Sequence, residues 1–210
     1  LFTQGETTIG DTVIPSESLV ATTTVKDGKA EFGAIQLPEG YYYVKELDAG
    51  EKHDLNTTMY GFHFHTTDNE KIKHIDLNDS KVINNKLHEN ELSFKKINEV
   101  ATLVSGKGYS YAITGNAAGA IFELLDADKK VIQTITVGKD SIGSIKHLPV
   151  GTFYLRESKP SATNLVLSKE TLKLVSTKDG VTVFDSKDKQ IGETKADTKK
   201  PTIAFELTNE

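Results

Sequence analysis

Glu46 and Glu157 stand where a strand pattern has no obvious place for a carboxylate. In Tyr41-Tyr42-Tyr43-Val44-Lys45-Glu46 a two-residue period puts Tyr42, Val44 and Glu46 on one face and Tyr41, Tyr43 and Lys45 on the other. In the run ending at Glu157, Phe153, Leu155 and Glu157 share a face, with Tyr154 and Arg156 opposite. If the face of Phe153 and Leu155 is the core, Glu157 points inward, and a buried carboxylate is costly unless paired or protonated. The plainer reading sets each Glu at a strand end, where the chain exits to water. A Glu at the same place in both runs weighs against it. Leu92-Ser93-Phe94-Lys95-Lys96 poses the same question with the opposite charge, since Leu92, Phe94 and Lys96 share a face. Phe205, Leu207 and Asn209 share one too. First and last strands lying side by side would bring Lys96, Glu157 and Asn209 together. A desolvated lysine loses its charge and becomes a nucleophile. A neutral Glu can polarise the Asn side-chain carbonyl and move protons. The product is a Lys–Asn amide bond with release of ammonia. Lys95 is the competing nucleophile, although its parity points it away from Phe94.

The elements that would position these groups are strands. Apolar/polar alternation recurs in Phe62-His63-Phe64-His65, Thr171-Leu172-Lys173-Leu174-Val175 and Val181-Thr182-Val183-Phe184, between turn clusters such as Lys26-Asp27-Gly28-Lys29, Asp126-Ala127-Asp128-Lys129 and Lys178-Asp179-Gly180. Short strands at regular spacing predict a sandwich or barrel. Helical periodicity is confined to a turn or two near Asn98–Val104. An internal repeat organises the chain: Leu37-Pro38-Glu39-Gly40-Tyr41-Tyr42-Tyr43-Val44-Lys45-Glu46 returns as Leu148-Pro149-Val150-Gly151-Thr152-Phe153-Tyr154-Leu155-Arg156-Glu157. Each copy is followed by an aliphatic run into Asn, at Val82-Ile83-Asn84-Asn85 and at Phe205-Glu206-Leu207-Thr208-Asn209. Two domains are predicted, residues 1–88 and 89–210, joined by a short linker as a rod segment.

The ordered set Lys96, Gly119-Ala120-Ile121-Phe122, Leu148-Pro149-Val150-Gly151, Tyr154-Leu155-Arg156-Glu157-Ser158-Lys159-Pro160 and Asn209 resembles the CnaB-type (SpaA-like, prealbumin-like) domains of Gram-positive surface adhesins and pilins. The resemblance implies an all-β chain of two tandem Ig-like sandwiches. It also implies a self-generated isopeptide bond with Lys96 as nucleophile, Asn209 as acceptor and Glu157 as catalytic acid/base. Ser158 departs from the Thr usual after that Glu. In domain one it implies Glu46 as the catalytic Glu and Asn85 as acceptor, with Asn84 the alternative. That domain begins at Leu1-Phe2, where the opening strand with its Lys is absent, and Lys26, Lys29, Lys45 and Lys52 are poor substitutes. The Lys is therefore expected upstream in a parent protein, or the bond is lacking. The function implied is a stalk or backbone segment of a cell-surface protein, extracellular and wall-attached through that parent. The alternatives are an adhesin module for a host protein or glycan, and a split ligation partner capturing a Lys-bearing strand.

Composition agrees with this class and removes others. At 210 residues the chain allows one large domain or two small ones. A net charge of −5 without a basic run argues against nucleic acid as a partner. No apolar stretch is long enough to insert in a membrane. With no Cys there are no disulfides, thiolate metal sites or thiol nucleophiles. The first residue is not Met, so a segment cut from a longer protein is expected. His63 and His65, with His74 near across a hairpin, make an adventitious metal site conceivable. The alternation is read instead as a solvent-facing strand with Phe62 and Phe64 inside, and no metal is expected. No cofactor is implied, and without hydrolase, phosphate-loop or zincin motifs the chain is expected not to be a turnover enzyme. Neighbouring domains of the parent protein are the expected partners, with a host extracellular ligand in the adhesin reading. Residues 187–200, rich in Lys but acid-interleaved, read as a solvated hairpin and linker.

Overall fold

The computed structural model describes residues 1–65, 73–78, 82–195 and 202–209. They form strands, turns and extended segments, with no helix among them. The chain divides into two compact units, Leu1–Lys86 and Leu87–Glu210.

The first unit contains β1 (Phe2–Thr3), β2 (Thr7–Ile9), β3 (Thr12–Ile14), β4 (Gly40–Val44) and β5 (Tyr60–Phe64). Its sheet runs β1-β4-β5, and β2 and β3 form a separate hairpin. The alternation in β4 is not resolved into a wet face and a dry one. Tyr42 and Tyr43 are both buried. Tyr42 stacks on Phe62 and donates its hydroxyl hydrogen bond to the Pro38 carbonyl at 2.7 Å, while Tyr43 stacks on Phe2 at 5.4 Å. Lys45 lies over the Phe2 ring, 4.7 Å from its centroid. A short aromatic strand can thus be covered on both sides, which period-two reading alone does not foresee.

The second unit contains β6 (Glu89–Val104), β7 (Gly108–Asn116), β8 (Ile121–Leu125), β9 (Val131–Thr136), β10 (Ile142–Pro149), β11 (Gly151–Lys159), β12 (Thr171–Thr177), β13 (Gly180–Phe184), β14 (Gln190–Lys195) and β15 (Thr202–Asn209). One sheet runs β10-β6-β15 with β7 also paired to β6, and the other runs β14-β13-β12-β11-β8-β9. All pairings are antiparallel except β6 with β15. Parallel neighbours need a long connection between them, and here it is almost the whole unit.

The core between the sheets follows from alternation. Leu92 and Phe94 come from β6, Phe122 and Leu124 from β8, Phe153 and Leu155 from β11, Leu172 and Leu174 from β12, and Val181 and Val183 from β13. Each such side chain contributes about 1.5–3 kcal/mol when fully buried. This is an all-β, Ig-like sandwich. Phe94 meets Phe122 edge-on at 4.8 Å, and its ring lies over Gly143, its register partner on β10. A methyl group at Gly143 would fall inside van der Waals contact with that ring.

The helical turn considered for Asn98–Val104 is instead the outer half of β6. There Val100, Ala101, Thr102, Leu103 and Val104 pair with Ala112, Tyr111, Ser110, Tyr109 and Gly108. Cross-strand pairing and three β-branched residues outweigh a weak local period. Residues 185–189 form the hairpin turn expected in the Lys-rich stretch, with the Asp185 amide donating to the Lys189 carbonyl. Residues 196–200 of that stretch lie outside the described residues.

Phe94→Ala should cost about 3–5 kcal/mol of unfolding free energy. Gly143→Ala, which overfills the same spot, should cost about 1–3 kcal/mol. Denaturant unfolding of the two variants beside the parent chain measures both.

Candidate functional site

On β6 the inward series continues past Leu92 and Phe94 to Lys96 and Asn98. Lys96 is 0% exposed and Asn98 4%. On β11 the inward series Phe153, Leu155 ends in Glu157, 3% exposed. A lysine and a carboxylate therefore project from facing sheets into one end of the core. Burial pushes the Lys96 amine below its usual basicity, and the opposing charge of Glu157 partly restores it. Glu157 Oε2 accepts a hydrogen bond from the Ser168 amide at 2.9 Å. The Lys96 amide donates to the Ser141 carbonyl at 2.8 Å, fixing the strand where its side chain turns inward. Lys95, the competing nucleophile, is exposed on the other face.

β15 lies directly beside β6. Leu207 is opposite Lys96, Thr208 opposite Ile97 and Asn209 opposite Asn98. Asn209 thus holds the register position two residues beyond the one facing Lys96.

Asn98 is a polar member of this site that no motif flagged. Its Nδ2 donates to the Asn116 carbonyl at 2.9 Å and to Ser161 Oγ at 2.7 Å, while its Oδ1 is buried without a hydrogen-bond partner. Extending the period-two pattern from Leu92 by one more step would have found it. The Ser168 amide carries no residue-type signal, because the group that binds is backbone.

The first unit places Glu46 and Asn85 together. Asn85 Nδ2 donates to Glu46 Oε1 at 2.7 Å, and the Asn56 amide donates to Glu46 Oε2 at 2.8 Å. The carboxylate is held as in the second unit, by a backbone amide 10 residues on for Glu46 and 11 for Glu157. Asn85 Oδ1 is buried and has no hydrogen-bond partner. Asn84 is exposed. Lys26 and Lys29 bracket an exposed tight turn, Lys52 is exposed in another turn, and Lys45 is engaged with Phe2. His63 stacks on Tyr41 at 4.3 Å and on His65 at 5.5 Å, while Phe62 and Phe64 are half-buried. No cluster of three metal-ligating side chains occurs among the described residues, nor any helix long and apolar enough to cross a membrane.

Residues 113–191 match the SpaA family, described as a prealbumin-like fold domain. That match lies within the second unit and supports the SpaA/CnaB-like fold that the motifs resemble. Among solved structures, the chain is similar to the Bacillus anthracis TIE protein, at 16% identity over 82% of this chain and 25% of that one, with a TM-score of 0.46. It is similar to BcpA, the major pilin subunit of Bacillus cereus, at 15% identity over 58% of this chain and 29% of that one, with a TM-score of 0.36. It is also similar to GBS52, the minor pilin of Streptococcus agalactiae, at 19% identity over 92% of this chain and 69% of that one, with a TM-score of 0.34. The chain spans a quarter of the first of these and under a third of the second. A search of curated proteins returns no match.

The lowered Lys96 pKa predicts a pH dependence in any variant that retains that amine. Asn209→Ala leaves Lys96 and Glu157 in place. Between the lowered value and the ordinary one near 10.5, the unfolded chain holds a proton the folded chain has shed. Stability therefore rises with pH through that window, and the penalty is full below it. Unfolding midpoints of this variant across alkaline pH, read against the parent chain, measure the effect.

Proposed function

We propose that the chain is a structural segment of a Gram-positive cell-surface pilin or adhesin. In this reading its second unit is locked by a self-made isopeptide bond between Lys96 and Asn209. The observation that carries it is Lys96, fully buried beside Glu157 on a strand that runs next to the strand bearing Asn209. The match of residues 113–191 to the SpaA prealbumin-like domain supports it. Lys96 passes a proton to Glu157, its neutral Nζ attacks Cγ of Asn209, and Glu157 hydrogen-bonds the carbonyl oxygen as negative charge builds there. Glu157 then relays the proton lost from Nζ to the departing nitrogen. One C–N bond forms, one breaks, and ammonia leaves. Each molecule reacts once, so the chain acts on no external substrate and requires no cofactor.

Such a bond closes a loop of roughly a hundred residues, worth about 4–5 kcal/mol in the chain-entropy account of cross-links. It also joins the two ends of the unit, which then cannot be drawn apart by load. A surface protein survives by resisting forced and proteolytic opening, and a covalent cross-link that persists as the fold opens limits both. The parent protein's neighbouring domains are its partners, and the cell wall its location.

A second reading, contact with a host protein or glycan, is favoured by the β6–β7 hairpin. Leu103 and Tyr109 pair across it, as do Ala101 and Tyr111, giving one face two exposed tyrosines and an exposed leucine. Exposed aromatic patches of this kind mark contact surfaces.

Intact mass under denaturing conditions tests the principal reading. The parent chain should be lighter than its sequence mass by one ammonia, whereas Glu157→Ala, Lys96→Arg and Asn209→Ala should each run at full mass. A parent chain at full mass contradicts the reading.

A further inference from the structure

Beyond Asn98 the long strand β6 leaves the sandwich. β10 pairs with it only as far as Lys95, and β15 only as far as Asn98. From there β6 and β7 run on as a two-stranded ribbon, with Val100 opposite Ala112 and Val104 opposite Gly108. Every residue from Ala101 to Ile113 is exposed. A ribbon of two strands is marginal by itself in water and gains from further strands. Its composition is as unusual as its position. Residues 100–122 hold a single charged residue, Lys107, in a chain that is 26% charged.

The outer edge of β7 is open. Among the described residues β7 pairs with β6 alone, so no strand lies along its other row of amides and carbonyls. Natural edges are blunted by charge, proline or a bulge. From Gly108 to Ile113 β7 has no charged residue and no proline, and its register with β6 is unbroken. Its alternation instead builds an apolar face. Tyr109, Tyr111 and Ile113 stand on one side of the ribbon, with Leu103 and Ala101 of β6 opposite the two tyrosines. Both tyrosines are 63% exposed.

We infer that the β7 edge is a self-association surface, to which a second copy of this chain adds its own β7, antiparallel across a two-fold axis. Centring the axis on Tyr111 sets Tyr109 of each copy opposite Ile113 of the other, and Ser110 opposite Ala112. The product is a closed four-stranded sheet, β6-β7-β7-β6, with the two Tyr111 side chains at its centre. Aromatic and aromatic–aliphatic pairs across strands are the favourable ones. Charge argues for a copy as the occupant. A two-fold contact tends to set like charges against each other, and an ordinary stretch of this chain would be repelled. Here Lys107 falls toward Gly115 of the other copy, well clear of its counterpart. An uncharged edge also offers a foreign strand no charge pattern by which to be selected. Five paired residues from each copy are fewer than the roughly 20–30 a side of stable complexes. The dimer is therefore transient in dilute solution and forms where copies are crowded. None of this depends on the Lys96–Asn209 bond.

Sedimentation velocity of the intact chain, from micromolar to near-millimolar concentration, tests this. The weight-average coefficient should climb from monomer toward dimer and go no further. Tyr111→Lys and Tyr111→Glu each set like charges face to face on the axis, and each should weaken association by at least about tenfold. An equimolar mixture of the two should associate again. Thr102→Lys, on β6 and on the opposite face of the ribbon, should associate as the parent chain does. A parent chain that stays monomeric throughout overturns the inference, and so does growth past the dimer. Loss of association in Thr102→Lys overturns the pairing through β7. So does a mixture that fails to recover although both components unfold at the parent's midpoint. A monomeric parent chain that is retained on a glycan array, and released from it by Tyr111→Lys, assigns the ribbon to host contact instead.

Discussion

A lysine with no solvent contact, facing a carboxylate from the opposite sheet, is the constraint around which the second unit is arranged. Charge taken from water costs several kcal/mol per ion unless geometry and hydrogen bonds recover it, and well-packed apolar residues usually serve stability better. Lys96 is placed there nonetheless by its own strand: the parity that buries Leu92 and Phe94 also buries Lys96 and Asn98. Glu157 is carried inward by the parity that buries Phe153 and Leu155, and the Ser168 amide then holds one of its oxygens. Converting the lysine to an amide would remove the ionisable amine from the core. The same step that staples the fold would also relieve its most expensive feature.

Topology makes that chemistry local. Lys96 and Asn209 are far apart in sequence, yet β6 and β15 are adjacent and parallel. Adjacency of the first and last strands means that one bond between them closes nearly the entire unit. Two antiparallel neighbours joined by a tight hairpin would gain little from a cross-link, because the loop it closed would be short. The proposed cross-link and the strand order that would make it useful thus belong to one arrangement.

Much of this was legible in the sequence because strands have an integral period. Leu-Pro-x-Gly-x-aromatic-Tyr-aliphatic-basic-Glu, repeated, marked the strand that carries the carboxylate, and counting by twos assigned its face. The outer half of β6 was harder to read, since Val100–Val104 are exposed on a two-stranded ribbon and carry no buried face to set a pattern. Tyr42 and Tyr43 defied alternation because unit one covers β4 on both sides. The backbone donors at Asn56 and Ser168 could not be read at all, since any residue but proline supplies an amide. Asn98 lies one period-two step beyond Lys96 on the same buried face, within reach of the alternation that marks Leu92 and Phe94.

The most direct measurement is a heteronuclear spectrum of the chain with isotope-labelled lysine Nζ and asparagine Cγ. One lysine nitrogen should resonate as a secondary amide, bearing a single proton and coupled to the side-chain carbon of Asn209. Substituting Glu157 by Ala should return that nitrogen to an amine. If every lysine nitrogen in the folded parent chain resonates as amine or ammonium, Lys96 is a buried base and no more, and the staple at the centre of this account does not exist.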